Sequence, residues 1–185
     1  MDLRRAVPRT FEEAAEGGRP GLDSTGFDAG MLLLRLVVGW TMAVHGAQKL
    51  LGWFGGPGFS GTARFLEHMG FRPGEMHAVF SGGAELGGGL LLALGLLTPL
   101  GAAAVTGSML AATATVTWQN GFISAKGGYE YNLVLIASAL AVAFAGPGRF
   151  SLDEVLGWRL SGWRWGVGAA VLGAVTAAVV VSVRR

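Results

Sequence analysis

Leu34-Arg35-Leu36-Val37-Val38-Gly39-Trp40-Thr41-Met42-Ala43-Val44-His45-Gly46-Ala47-Gln48-Lys49-Leu50-Leu51-Gly52-Trp53-Phe54 is apolar enough to enter a bilayer, yet carries an arginine, a histidine and a lysine. At about 100° per residue, Arg35, Met42, His45 and Lys49 fall within roughly 80° of one another on a helix. The opposite face is mostly apolar. An ionisable group at the bilayer centre costs about 2.5–3.5 kcal/mol on insertion scales, so three on one stripe require partners or water. One reading is a polar site inside a helix bundle, with His45 at its centre. The other is that Lys49 snorkels to the interface and Arg35 pairs with a loop carboxylate.

The rest of the chain has the same character. Of its 185 residues 51% are hydrophobic and 14% charged, against about 25% charged in an ordinary soluble domain. Mean hydropathy is +0.49. The 32 glycines suit close helix contacts in lipid. This is the composition of an all-α membrane protein with several spans. A net charge of +2 suits anionic headgroups and predicts no nucleic-acid partner. Without cysteine the chain itself offers no dithiol, disulfide, iron–sulfur cluster or thiolate metal site. Any redox role would run through a bound cofactor or a partner subunit.

Five apolar segments are expected, at about 31–51, 76–97, 100–118, 131–145 and 163–183, each near the length that a 30 Å hydrocarbon layer requires. Residues 1–30 read as a polar, mobile tail without the apolar core of a signal peptide. Thr10 is a possible cap for a short helix reaching Ala15. Thr98-Pro99 predicts the turn between the second and third segments. Residues 62–69 read as a short amphipathic helix in the interface, or as a lid over the site. Gly83-x-x-x-Gly87 and the stripe Gly166, Ala169, Ala170, Gly173, Ala174 and Ala177 are expected to be packing surfaces, within the bundle or between protomers of a homo-oligomer. Seven Lys and Arg residues gather on the N-terminal side and six on the other, which narrowly favours a cytoplasmic N-terminus in the cell membrane.

Helix parity converts this list into a site. If the first span runs from side A to side B, then Leu51, Met76, Trp118 and Tyr131 all lie at side B. His45, Lys49, Glu85, Trp118, Asn120, Tyr129 and Glu130 are therefore expected in one half of the membrane. Arg35 lies toward side A, within reach of Asp153 or Glu154. Gly82-Gly83-Ala84-Glu85 and Gly127-Gly128-Tyr129-Glu130 also echo one another, as though two hairpins each deliver a carboxylate. His45, Lys49 and Glu85 are the candidate catalytic groups, and Trp118, Asn120, Tyr129, Glu130 and Arg35 the candidate cofactor-binding ones. Such a set can relay protons or give donors to the two carbonyls of a quinone. It can equally be a satisfied ion-pair network, Lys49–Glu85 or His45–Glu85, that fixes helix register. No metal is expected, since no two of His45, Glu85 and Glu130 have ligand spacing within one helix. His68 and His77 are read as ordinary interfacial residues.

Six stretches together resemble the DoxX family of small integral membrane proteins. They are Arg35-Leu-x-x-Gly39; His45-Gly46-x-Gln48-Lys49-Leu50-x-Gly52-Trp53-Phe54-Gly55-Gly56; Glu85-x-x-Gly88-Gly89-x-x-Leu92-x-x-Gly95-Leu96-x-Thr98; Asn120-Gly121-Phe122; Gly128-Tyr129-Glu130-Tyr131; and Gly146-Pro147-Gly148-Arg149-Phe150-Ser151-Leu152-Asp153. The resemblance covers about 31–156. It implies a four-transmembrane-helix bundle, here with one additional C-terminal transmembrane helix over 157–185. It also implies a membrane subunit of a quinone-linked oxidoreductase or of an oxidative-stress or thiol-redox complex. The alternatives are a non-catalytic scaffold that recruits soluble redox subunits and, less well supported, a small-solute or proton-coupled transporter, for which the helices lack paired Pro/Gly interruptions.

Overall fold

Three glycines explain why the first span and the second lie so close. A Cβ on Gly39 would sit 2.5 Å from the backbone of both Ala93 and Gly89, and one on Gly89 would sit 2.5 Å from Ala43 N. A Cβ on Gly46 would run into the backbone of Leu86. Only hydrogen fits at these positions, so two backbones touch along their length and the polar groups on both helices come within reach. The two helices are α1, Ser24–Leu51, and α3, Gly74–Leu94. They share the most extensive contact of any pair of elements.

The computed structural model describes residues 24–184, and the described part is all helical. Residues 1–23 of the expected 1–30 tail, with its short helix, lie outside the described residues. α1 begins at Ser24, seven residues earlier than the apolar pattern suggested. Asp28 explains the extension, because its buried carboxylate accepts the Arg149 backbone N–H at 2.9 Å. A polar turn is thus held in the helix by a tertiary bond that hydropathy does not register.

The chain continues through a short 3-10 turn at Trp53–Gly55 to α2, Gly58–His68, the expected amphipathic helix begun four residues sooner. After α3 the chain turns at Gly95–Leu97 rather than at Thr98-Pro99. Gly95 takes φ +62°, and the Gly95 and Leu96 N–H groups return to the carbonyls of Leu92 and Leu91, a Schellman ending. Thr98 and Pro99 instead open α4, Thr98–Ala112, with proline in the first turn, where its missing N–H costs nothing. α4 then widens into a π-helical turn at Thr113–Thr117 and a 3-10 turn at Trp118–Asn120. A loop leads to α5, Glu130–Ala145. The one-turn α6, Leu152–Val155, precedes α7, Trp163–Ser182.

α1, α3, α4 with its π-helical extension, and α7 are each long and apolar enough to cross a membrane. The sixteen-residue α5 spans about 24 Å at 1.5 Å per residue, close to the hydrocarbon thickness. Val38, Met42, Leu92, Val105, Met109, Leu135 and Val142 pack with small alanines as the common core. Large apolar side chains such as Leu33, Val37, Trp40 and Phe80 stay exposed on the outside, as a lipid-facing surface requires. The chain is a multi-pass membrane protein.

The glycine stripes divide. In α7 the small face is an internal one: Gly166, Ala169, Gly173 and Ala177 are buried, with Gly173 against Thr106 and Gly107 of α4 and Gly166 against the Phe144 ring of α5. In α3 the packing glycines are Gly82, Gly88 and Gly89. Gly83 and Gly87 face open space, so that motif does not pack within the bundle.

Candidate functional site

Two buried charged clusters lie on the α1–α3 pair, one toward each end. Toward side A, Arg35 is fully buried. Its guanidinium donates to the carbonyls of Phe150 at 2.6 Å and Ala93 at 3.2 Å, while Nε has no partner. Gly95 leaves the room it needs, since a Cβ there would strike the guanidinium. Asp153, also fully buried, attracts the guanidinium through space, but its hydrogen bonds go elsewhere. Its two oxygens accept from Leu97 N at 2.8 Å, Thr98 N at 3.0 Å and Thr98 Oγ1 at 2.6 Å. That carboxylate caps α4 from a different part of the chain, satisfying N–H groups that a helix start leaves free. Arg35 therefore sits with the side-A fastening and apart from the other candidate residues.

The side-B cluster is looser. Lys49 Nζ lies 2.6 Å from Glu85 Oε1 and 3.0 Å from Ser81 Oγ. The carboxylate side chain is 3% exposed and the lysine 31%. Glu85 Oε2 is buried without any hydrogen-bond partner. The expected Lys49–Glu85 pair is thus formed, with Ser81 as an addition that sequence reading missed. Ser81 precedes Glu85 by four residues and so shares its helix face, which was the available signal.

Lys49 also faces outward. With His45, Gln48, Pro57, Thr62 and Phe65 it lines a groove of about 340 Å³ between the last turns of α1 and the underside of α2. Thr62 Oγ1 donates to the Lys49 carbonyl at 2.9 Å, holding α2 over the groove. The far end of α2 is tied by Glu67 to the Gly74 N–H and by Arg184 to the Met69 carbonyl. His45 is exposed, and its ring finds no hydrogen-bond partner among the described residues. It lies edge-on to Tyr131 of α5, with centroids 6.5 Å apart. An imidazole open to the outside of a membrane bundle, with both nitrogens free, can offer a donor or an acceptor to a molecule arriving from the lipid.

The remaining candidates form a separate group at the loop before α5. Trp118 stacks on Tyr129 at 5.2 Å with Phe122 edge-on to the same ring. Asn120 donates to the Gly127 carbonyl and Glu130 accepts from Ser124 N. These bonds close the loop upon itself. The echo between Glu85 and Glu130 is therefore one of letters: Glu85 is buried in the middle of α3, whereas Glu130 is the first residue of α5. Asn132 has the stronger structural role, joining α5 to the π-helical turn through Thr113 and Thr117 at 3.0 and 3.2 Å. His77 is buried, 5.2 Å from Phe71, so it packs against the protein at the start of α3.

Comparison with known proteins agrees with this architecture. A family model described as DoxX matches residues 30–118, which contain both buried clusters apart from Asp153 and Phe150. The chain is also 30% identical over 127 residues to the protein named "Putative oxidoreductase CatD" of Bacillus subtilis (strain 168), a match covering 69% of this chain and 87% of that one. This chain belongs to the DoxX family. No solved structure matches it. The DoxX match ends near Trp118, so α7 and the aromatic loop lie beyond it, while His45, Lys49 and Glu85 lie inside.

Proposed function

We propose that this DoxX-family chain is the membrane subunit of a redox assembly and that its side-B groove receives the headgroup of a lipid-soluble quinone. The observation that carries the reading is the exposed, unbonded His45 beside Lys49 in an apolar groove, with the half-satisfied Glu85 behind. The groove volume of about 340 Å³ is within the range of small-molecule sites, which are mostly apolar with a few polar groups. Pro57 and Phe65 supply apolar walls, and His45 and Gln48 supply polar groups at one wall. Gln48 Nε2 is held only by a 3.4 Å contact to the Phe54 carbonyl. These residues fit a planar ring with two carbonyls.

A quinone, when bound, supplies two-electron chemistry coupled to proton uptake. The chain's own part is to orient the headgroup and to hold a proton nearby. His45 would hydrogen-bond a carbonyl oxygen, with Tyr131 limiting the tilt of the imidazole. Lys49, itself held by Ser81, steadies one oxygen of Glu85 and leaves Oε2 as the place where a proton can reside. α2 would limit water entry. The chain lacks cysteine, so electrons would come from a partner subunit. On this reading side A, where α1 begins, faces the cytoplasm.

The name of the Bacillus subtilis relative supports an oxidoreductase setting. The test is organic extraction of quinone from protein purified in mild detergent. Wild type should carry quinone and His45→Ala should lose most of it while remaining folded. No quinone in either protein, with partner subunits still captured, would leave the scaffold as the better account.

A further inference from the structure

We infer that the side-A cavity, at the opposite membrane face from the Lys49–Glu85 site, binds the zwitterionic headgroup of a phosphoethanolamine lipid. The cavity of about 210 Å³ lies between the first turns of α1, the segment after α5, and α6. Its wall carries Arg149, Arg159 and Glu154. Among the described residues the one ion pair is Lys49–Glu85, so these two cations and this anion share a cavity without pairing with each other. Their side chains make no hydrogen bond either.

Asp28, the fourth charge in the wall, is buried and already accepts from the Arg149 backbone. The cavity therefore presents two open guanidiniums and one open carboxylate. A guanidinium suits a phosphodiester through paired N–H donors. A carboxylate suits a primary ammonium. Both needs are met by one headgroup carrying a phosphate and an amine, whereas a purely anionic headgroup would be repelled by Glu154.

The location indicates that the ligand is a lipid. Trp158 lines the cavity, and exposed Trp163 and Trp165 follow at the start of α7, where aromatic residues mark headgroup depth. Phe27 and Leu160 give the wall its apolar part. The arginine and glutamate side chains point away from the core, so Gln can replace each of them without opening a void, and the Asp28 bond uses the Arg149 backbone.

The test is native mass spectrometry of the full chain after exchange into vesicles containing equal parts of phosphatidylethanolamine, phosphatidylglycerol and phosphatidylcholine. Wild type should retain phosphatidylethanolamine over each of the others by roughly tenfold, the scale of one charge-assisted hydrogen bond. Arg149→Gln with Arg159→Gln should reduce retention of all three. Glu154→Gln should keep lipid bound and shift the preference to phosphatidylglycerol. Water-soluble phosphoethanolamine and inorganic phosphate, added separately, should not displace the lipid at matched concentration. Equal retention of the three lipids, a wild-type order that follows anionic charge alone, or displacement by either soluble probe would overturn the proposal. Unchanged melting temperatures of the variants would show that any loss arises at the cavity.

Discussion

The two buried charge clusters on the α1–α3 pair use similar groups to opposite ends. At side A, Asp153 takes three hydrogen bonds and Arg35 is clamped to two backbone carbonyls from different elements. Gly95 is shaped to admit the guanidinium, and both charged side chains are fully buried. At side B, Glu85 has an unbonded oxygen, Lys49 is partly exposed, and His45 stands at a groove with no hydrogen bond. At side A the carboxylate fills its bonding capacity and Arg35 Nε alone is left over, as suits a cluster that joins elements. One that handles a ligand or proton leaves some capacity open. The difference separates a fastener from a working site within one helix pair.

Removing the fastener should have the largest effect. Asp153→Ala leaves Arg35 buried without its counter-charge and uncaps α4, so the loss should be about 3–5 kcal/mol. Thermal unfolding in detergent checks it, and a loss below about 1 kcal/mol would remove the contrast between the two ends. Next comes the close approach that both clusters depend on. Gly46→Ala forces a methyl into the Leu86 backbone and should cost about 1–3 kcal/mol, the usual penalty for overpacking. Such a change should also weaken the Lys49–Glu85 pair, visible as reduced quinone content.

Glu85→Gln sharpens the comparison further. The amide oxygen still accepts from Lys49, so stability should fall by no more than about 1.5 kcal/mol, one hydrogen bond's worth. Proton-coupled turnover of a reconstituted assembly should nevertheless drop markedly. Equal loss of stability from Glu85→Gln and Asp153→Ala would show both clusters to be fasteners. The smallest structural effect is expected for His45→Phe, which keeps an aromatic ring against Tyr131. The melting temperature should hold while extractable quinone disappears.

Much of the fold was legible because hydrophobic length and helix parity are one-dimensional properties. They placed five segments and put Lys49 and Glu85 in the same half of the membrane. The start of α1 was not legible, since it depends on Asp28 meeting Arg149 across 121 residues. The turn at Gly95–Leu97 was misplaced by a few residues because Pro99 marks a helix start as readily as a stop. Gly83-x-x-x-Gly87 misled for a related reason: a spacing identifies a stripe but not which stripe meets a neighbour. In the site, Ser81, Thr62 and Tyr131 were missed because each gains its meaning from a contact with another helix. Trp118, Asn120, Tyr129 and Glu130 share a membrane half with His45, yet they bond and stack within their own loop, with Phe122, Ser124 and Gly127. Common depth is a weaker condition than contact.

The most direct test of the central claim, that the half-open side-B cluster is where a lipid-borne ligand meets this protein, is photolabelling with a membrane-soluble quinone analogue followed by peptide mapping. The account predicts labels on the segments 45–49 and 57–65, suppressed by excess natural quinone and by His45→Ala. Labels confined to the side-A segment 145–161, or spread over the lipid-facing surface without competition, would contradict it.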